Sequence, residues 1–138
     1  MNEKYYQTGD CKLAGTSFSE VYKTAWQVYS KEKRKSRRRP YIRSAYFQKD
    51  KIFIDIFWSH LKQKRLMDKK RRLKFYKCAI ELLKNSKNPP ITLQDNNDLN
   101  KMLHRFFGQC KNNEEFIVQI KENKKTGKKY LISVFPSK

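Results

Sequence analysis

Apolar residues recur along this chain with two different periods, and the change falls near Pro89 and Pro90. In the first half the spacing is helical. Val21, Ala25, Val28 and Tyr29 share one face with Trp26 beside them, the i, i+3, i+4 recurrence of an amphipathic helix. Ser17 and Glu20 stand at capping-box spacing, where each side chain satisfies the other residue's orphan amide. A helix is therefore predicted from about 17 to 35, and Pro40, which lacks an N–H, forbids its continuation. From 51 to 64, Ile52, Phe53, Ile56, Phe57 and Leu61 predict a second amphipathic helix, with His60 on its apolar face. Asp68 is placed to cap a third, running through Leu73, Tyr76, Ile80 and Leu83 and stopping before Asn88-Pro89-Pro90.

Beyond Pro90 residues 91–100 read as a polar loop, and three short apolar runs follow at 102–109, 116–121 and 130–135. In the second run Phe116, Val118 and Ile120 alternate with Ile117, Gln119 and Lys121, the period of a strand with two unlike faces. Residues 111–114 and 123–128 have turn composition. The pattern predicts an α+β fold, with N-terminal helices packed on a C-terminal antiparallel sheet of three to four strands. One domain spans 1–138, with a basic helical extension over 1–49 and a core over 50–138. Neither a repeat nor a flexible linker divides it.

Charge changes this picture most. The chain carries 33 Lys and Arg against 13 Asp and Glu, a net +20, and residues 31–77 alone hold +15 of it. Cations so concentrated repel one another unless an anionic partner offsets them. Nucleic acid is the expected partner, because each Lys or Arg that replaces a condensed counterion is rewarded. Arg37, Arg38, Arg39, Arg43, Lys64, Arg65, Lys69, Lys70 and Arg71 are the candidate phosphate contacts. A solvated charged face is the structural alternative for any of them. Tyr41, Tyr46, Phe47, Trp58, Phe75 and Tyr76 interleave with these cations, and any ring left outside the core can stack on a base. With no apolar run long enough to span a bilayer and no signal-like N-terminus, no membrane partner is expected. Cys11, Cys78 and Cys110 show no ligand or disulfide spacing, so reduced thiols in a cytoplasmic protein are expected.

No phosphate-binding glycine loop, nucleophile elbow or carboxylate cluster is present, and two-metal cleavage needs several acidic ligands together. No metal or cofactor is expected. RNA can still be cut without metal, because its 2′-hydroxyl is an internal nucleophile and the protein need supply only proton transfer and cations. His60 is the candidate for proton transfer; an imidazole bonded to a carbonyl is its alternative. Arg71 or Arg72 at the start of a helical face can clamp a phosphate. Arg105 is assigned to the functional side of the first strand, with Leu103 and Phe107 flanking it and His104 opposite. Ser133 is a polar position within an apolar strand.

Three segments together resemble the barnase, EndoU, colicin and RelE-like superfamily of small metal-independent ribonucleases, especially its phage-associated branch. They are Phe57-Trp58-Ser59-His60-Leu61, the helix from Arg71-Arg72-Leu73 to Asn88-Pro89-Pro90, and the closing hairpin that ends Leu131-Ile132-Ser133-Val134-Phe135-Pro136. The similarity covers about residues 50–138. It implies a RelE- or barnase-like fold with a nuclease-like core, in which His60 transfers protons, Arg72 (or Arg71) clamps phosphate, Arg105 stabilises the transition state and Ser133 stands at the scissile bond. An endoribonuclease, a toxin held by an acidic antitoxin or inhibitor, or a ribosome-directed enzyme is the implied setting. No glutamate stands where a barnase-like base would be recognisable. A non-catalytic RNA-binding or ribosome-associated protein would need only the basic block and the aromatics.

Overall fold

Residues 5–9 and 11–137 are described by a computed structural model. The capping box forms as its spacing predicts: the Glu20 N–H donates to the Ser17 hydroxyl, and the Ser17 N–H donates to the Glu20 carboxylate. Helix α1 (Phe18–Lys35) follows, burying Val21, Ala25 and Tyr29. Before and after it come strands β1 (Tyr5–Gln7) and β2 (Tyr41–Arg43). The segment 51–64 is not one helix. It divides into β3 (Lys51–Phe53) and α2 (Ile56–Lys62), because Ile52 and Ile54 are fully buried on one side while Phe53 between them faces the other.

The expected third helix is also two. α3 (Leu66–Lys74) and α4 (Tyr76–Asn85) meet at Phe75, whose φ of −98° and ψ of 4° break the helical run. Phe75 turns inward and stacks on Phe116 at 5.4 Å between centroids. Arg65, not Asp68, occupies the position before α3, and Asp68 lies within its first turn, 3.6 Å from Arg71. Residues 91–94 form β4 (Ile91–Gln94), followed by β5 (Lys101–Gln109), β6 (Glu115–Asn123) and β7 (Lys129–Pro136).

The sheet corrects the expected architecture. It has seven strands, in the order β1-β5-β6-β7-β3-β2, and β4 shares the edge of β5 with β1. β1 runs parallel to β5, and β3 parallel to β7, so the sheet is mixed. Helices are not gathered at the N-terminus ahead of a sheet of three or four strands: three strands come from the first 53 residues, and all four helices lie between strands. Backbone pairing recruits short segments such as β1, β2 and β4 whose side chains carry too little periodicity to announce a strand.

One core cluster joins the helices to a single face of this sheet. Phe106, Phe116, Val118, Ile120, Leu131 and Val134 are buried on the inner face, while Arg105, Phe107, Ile117, Gln119, Ser133 and Phe135 stay half-exposed on the outer one. Alternation supplies both sets. Among the described residues no helix is long and apolar enough to cross a membrane.

The expected reduced thiols give way to a disulfide between Cys11 and Cys78, 67 residues apart in sequence, with Cys110 buried outside it. It ties the segment before α1 to α4, a tertiary pairing that spacing alone does not encode. Cutting it by reduction, or by Cys11→Ser, should lower unfolding stability in urea by about 2–4 kcal/mol; an unchanged midpoint would show that the bond does not form. At Gly108 an added Cβ would stand 2.3 Å from the Phe116 ring. Gly108→Ala should therefore cost about 1–3 kcal/mol in the same assay.

Candidate active site

The outer face of the β5–β6–β7 meander carries a row of polar side chains that register brings side by side. Arg105 pairs with Gln119, and Gln119 with Ser133, so all three project from the same face of adjacent strands. The Arg105 Nε donates to the Gln119 carbonyl oxygen at 2.8 Å. At the other end, an Arg72 guanidinium nitrogen donates to the Ser133 hydroxyl at 2.8 Å. Arg72 reaches the row because α3 lies against β7. Its guanidinium also sits over the Phe135 ring, 5.4 Å from the centroid. Burial pulls the Arg72 pKa down, but from so high a value that the group stays charged.

With the Ser133 and Gln119 oxygens accepting from arginines, the hydroxyl proton and the Gln119 NH2 remain to donate outward. The row thus offers donors without a carboxylate, the chemistry that suits an anion with several oxygens. Arg105 and Ser133 are two strands apart, about 10 Å between Cα atoms at ~4.8 Å per strand. That span lets both guanidinium groups reach a phosphate placed between them.

His60 stands in the last turn of α2, which also lies against β7. Phe57, Trp58 and Leu61 are buried, whereas His60 is exposed and so leaves the apolar face assigned to it by helical periodicity. Partial desolvation lowers its pKa, and the nearby ammonium groups of Lys121 and Lys64 lower it further. Lys121 projects from the outer face two residues from Gln119. The neutral imidazole, the form able to accept a proton, is thereby favoured at neutral pH.

His104 belongs to the opposite face. Its Nδ1 is 2.8 Å from the Thr92 hydroxyl and its Nε2 2.7 Å from Glu122, so it clamps β4, β5 and β6 together beneath Phe47. Alternation alone sets Arg105 and His104 on opposite faces of β5, as the structure has them. Gln119, Lys121 and Phe135 were not among the expected site residues, although the phase opposite to Val118 and Ile120 in β6 was the signal for the first two.

The nine expected phosphate contacts do not form one patch. Arg37, Arg38 and Arg39 lie in the turn between α1 and β2. Arg39 is engaged through its Nε to both Asp55 oxygens at 2.9 Å. Arg43 is exposed on β2, over the Tyr41 ring. Lys64 and Arg65 are exposed between α2 and α3, beside His60. Lys69 is half-exposed, Lys70 donates to the Thr16 carbonyl at 2.7 Å, and Arg71 faces solvent and Asp68. Of Arg71 and Arg72, the second faces the row.

Comparison with protein-family models, with curated proteins and with solved structures returns no match. The site's reading rests on its own geometry. A proton NMR titration should place the His60 pKa below the ordinary imidazole value of 6.5, and Lys121→Gln should move it upward by removing a repelling charge. Because folding depresses this pKa, its contribution to stability is complete above 6.5 and is lost as pH falls through the folded value.

Proposed function

We propose that this chain is a metal-independent endoribonuclease whose active site is the outer-face row Arg72–Ser133–Gln119–Arg105 with His60 at its margin. One observation carries the reading: arginines from α3 and β5 hold the Ser133 and Gln119 side chains in one row, on the face that carries Lys121, whose ammonium lies near His60 and helps to keep it neutral. RNA is the substrate that needs no more than this, because its own 2′-hydroxyl is the nucleophile.

In this reaction neutral His60 takes the proton of the 2′-hydroxyl as that oxygen attacks phosphorus. The bond from phosphorus to the 5′-oxygen breaks, and the 5′-oxygen leaves as an alcohol after taking a proton from water, whose hydroxide takes back the proton held on His60. The products are a 2′,3′-cyclic phosphate and a 5′-hydroxyl. Arg72 and Arg105 offset the charge on the pentacoordinate phosphorane from either side. Ser133, oriented by Arg72, donates to a non-bridging oxygen. The reading agrees with the roles that the resemblance to the barnase and RelE-like ribonucleases assigns to His60, Arg72, Arg105 and Ser133. An RNA substrate puts the proposed site of action in the cytoplasm, where reducing conditions act against the Cys11–Cys78 disulfide of the structure.

A second reading, RNA binding without cleavage, has its own support: among the described residues none hydrogen-bonds the His60 ring to orient it. Incubation with structured RNA in EDTA separates the two. Fragments ending in 2′,3′-cyclic phosphate are expected, with His60→Ala slowing their release by about 10²–10⁴-fold while the fold is retained. The activity should have an acid limb below pH 6.5, set by His60. RNA that is bound but stays intact would replace the enzyme with the binding protein.

A further inference from the structure

On the side of the sheet away from β5, a cleft of about 630 Å³ opens between the turn after α1, strands β2 and β3, and the turn before β7. Arg37, Arg38, Lys51 and Lys128 supply its charge, and Tyr41 and Phe53 its apolar wall. We propose that this cleft holds an unpaired nucleotide of the RNA strand, its base against Tyr41 and Phe53 and its flanking phosphates on the four cations. The inference rests on the RNA-directed reading above and names which part of an RNA that surface takes.

Charge is the first argument. The basic third of the chain has four carboxylates, and each is already paired, Asp55 with the cleft residue Arg39 and the other three with cations outside the cleft. Glu32 pairs with Lys84, Asp50 with Lys129, Asp55 with Arg39 and Asp68 with Arg71. Among the described residues no carboxylate lines the cleft. Arg37 and Arg38 make no hydrogen bond or ion pair among the described residues, and the Lys51 ammonium rests over the Tyr41 ring at 4.6 Å. Four like charges around one opening are costly until an anion enters.

The rings are the second argument, and they distinguish a nucleotide from a bare polyanion. Tyr41, Phe53 and Tyr130 are partners in register on the outer face of β2, β3 and β7. Arg39, locked by Asp55, lies over both Phe53 and Tyr130, at 4.9 and 5.0 Å. This arginine therefore acts as a fixed part of the wall and not as a mobile cation. A base in a duplex hides its faces in the stack, so only an unpaired one reaches these rings. A base settling on Tyr41 displaces the Lys51 ammonium toward the adjoining phosphate.

Continuity with the row is the third. Tyr130 pairs with Lys121 across β7 and β6, and Gln119 and Ser133 follow on the same face. Tyr130 and Ser133 lie opposite Lys121 and Gln119, two residues apart on β6, about 7 Å at ~3.3 Å each. At ~3.4 Å per stacked nucleotide, about two nucleotides separate the cleft from the serine.

Binding of a short fluorescein-labelled 2′-O-methyl oligoadenylate tests this, because that strand lacks the hydroxyl needed for cleavage. The single strand should bind more tightly than the same strand annealed to its complement. Tyr41→Leu and Phe53→Leu should weaken single-strand binding by about 5- to 100-fold and leave duplex binding unchanged. The double substitution Arg37→Gln and Arg38→Gln, both exposed and so harmless to folding, should flatten the salt dependence by about 0.7 per lost phosphate contact. Equal affinity for single strand and duplex would overturn the proposal, as would folded ring variants that bind like the parent. Competition by phosphatidylglycerol vesicles that Arg37→Gln and Arg38→Gln relieve would also overturn it, in favour of a lipid surface. Should the ring variants not fold, the salt slope of the arginine pair decides. Cleft binding without any cleavage of ordinary RNA would overturn only the catalytic reading; cleavage with a dispensable cleft would overturn only this one.

Discussion

Burial of the inner face of the β5–β6–β7 meander orients every side chain on its outer face. Successive strand residues point to opposite sides, so a slip of one position would exchange the two sets. Val118 and Ile120 on β6 are fully buried, as are Phe116 and Val134. Driving these four from water is worth about 1.5–3 kcal/mol each, far more than the outer row's hydrogen bonds at about 0.5–1.5 kcal/mol net. Register is therefore decided by the core, and Arg105, Gln119 and Ser133 are held in line as a result. The donors of the outer row need contribute nothing to stability in order to be preorganised.

The same core tolerates a surface that would otherwise oppose folding. Asp55, Asp50, Glu32 and Asp68 each neutralise one cation of the fold, and Lys129, though buried, is paired with Asp50 and near Glu122. Beyond these, the excess is displayed. Part of it stands at the cleft with Arg37 and Arg38 and part at the turn carrying Lys64 and Arg65 near His60. A strand of RNA lying along the outer face would touch both, which is a different arrangement from one uniform basic patch.

What was legible in the sequence had a local cause. The capping box of Ser17 and Glu20 forms, and the alternation in residues 102–109 and 116–121 marks β5 and β6 and puts Arg105 opposite His104. Where the reading failed, the determinant was distant. Ile52, Phe53, Ile56 and Phe57 fit a helix as well as a strand followed by a helix, and β7 decides by pairing with Phe53. Ile91 and Leu93 alternate with Thr92 and Gln94, but the polar residues 95–100 that follow mask this exposed edge strand, which is held by its backbone and by the Thr92–His104 bond. The disulfide of Cys11 with Cys78, and the contact of Arg72 with Ser133, join segments more than sixty residues apart in sequence. Periodicity could nominate those residues but not introduce them to each other.

Strict alternation along Tyr130-Leu131-Ile132-Ser133 would set Tyr130 and Ser133 on opposite faces. They share one because the pairing with β6 shifts between Gln119 and Ile120, leaving Ile132 as an extra residue in β7. Such a bulge bends its strand and increases the local twist. The pairs on either side stay opposite Lys121 and Gln119, so the extra isoleucine adds almost nothing to the interval between the aromatic wall and the serine and changes only which way they point. A related chain without that residue would keep the same groups on the same face of a flatter, less twisted strand.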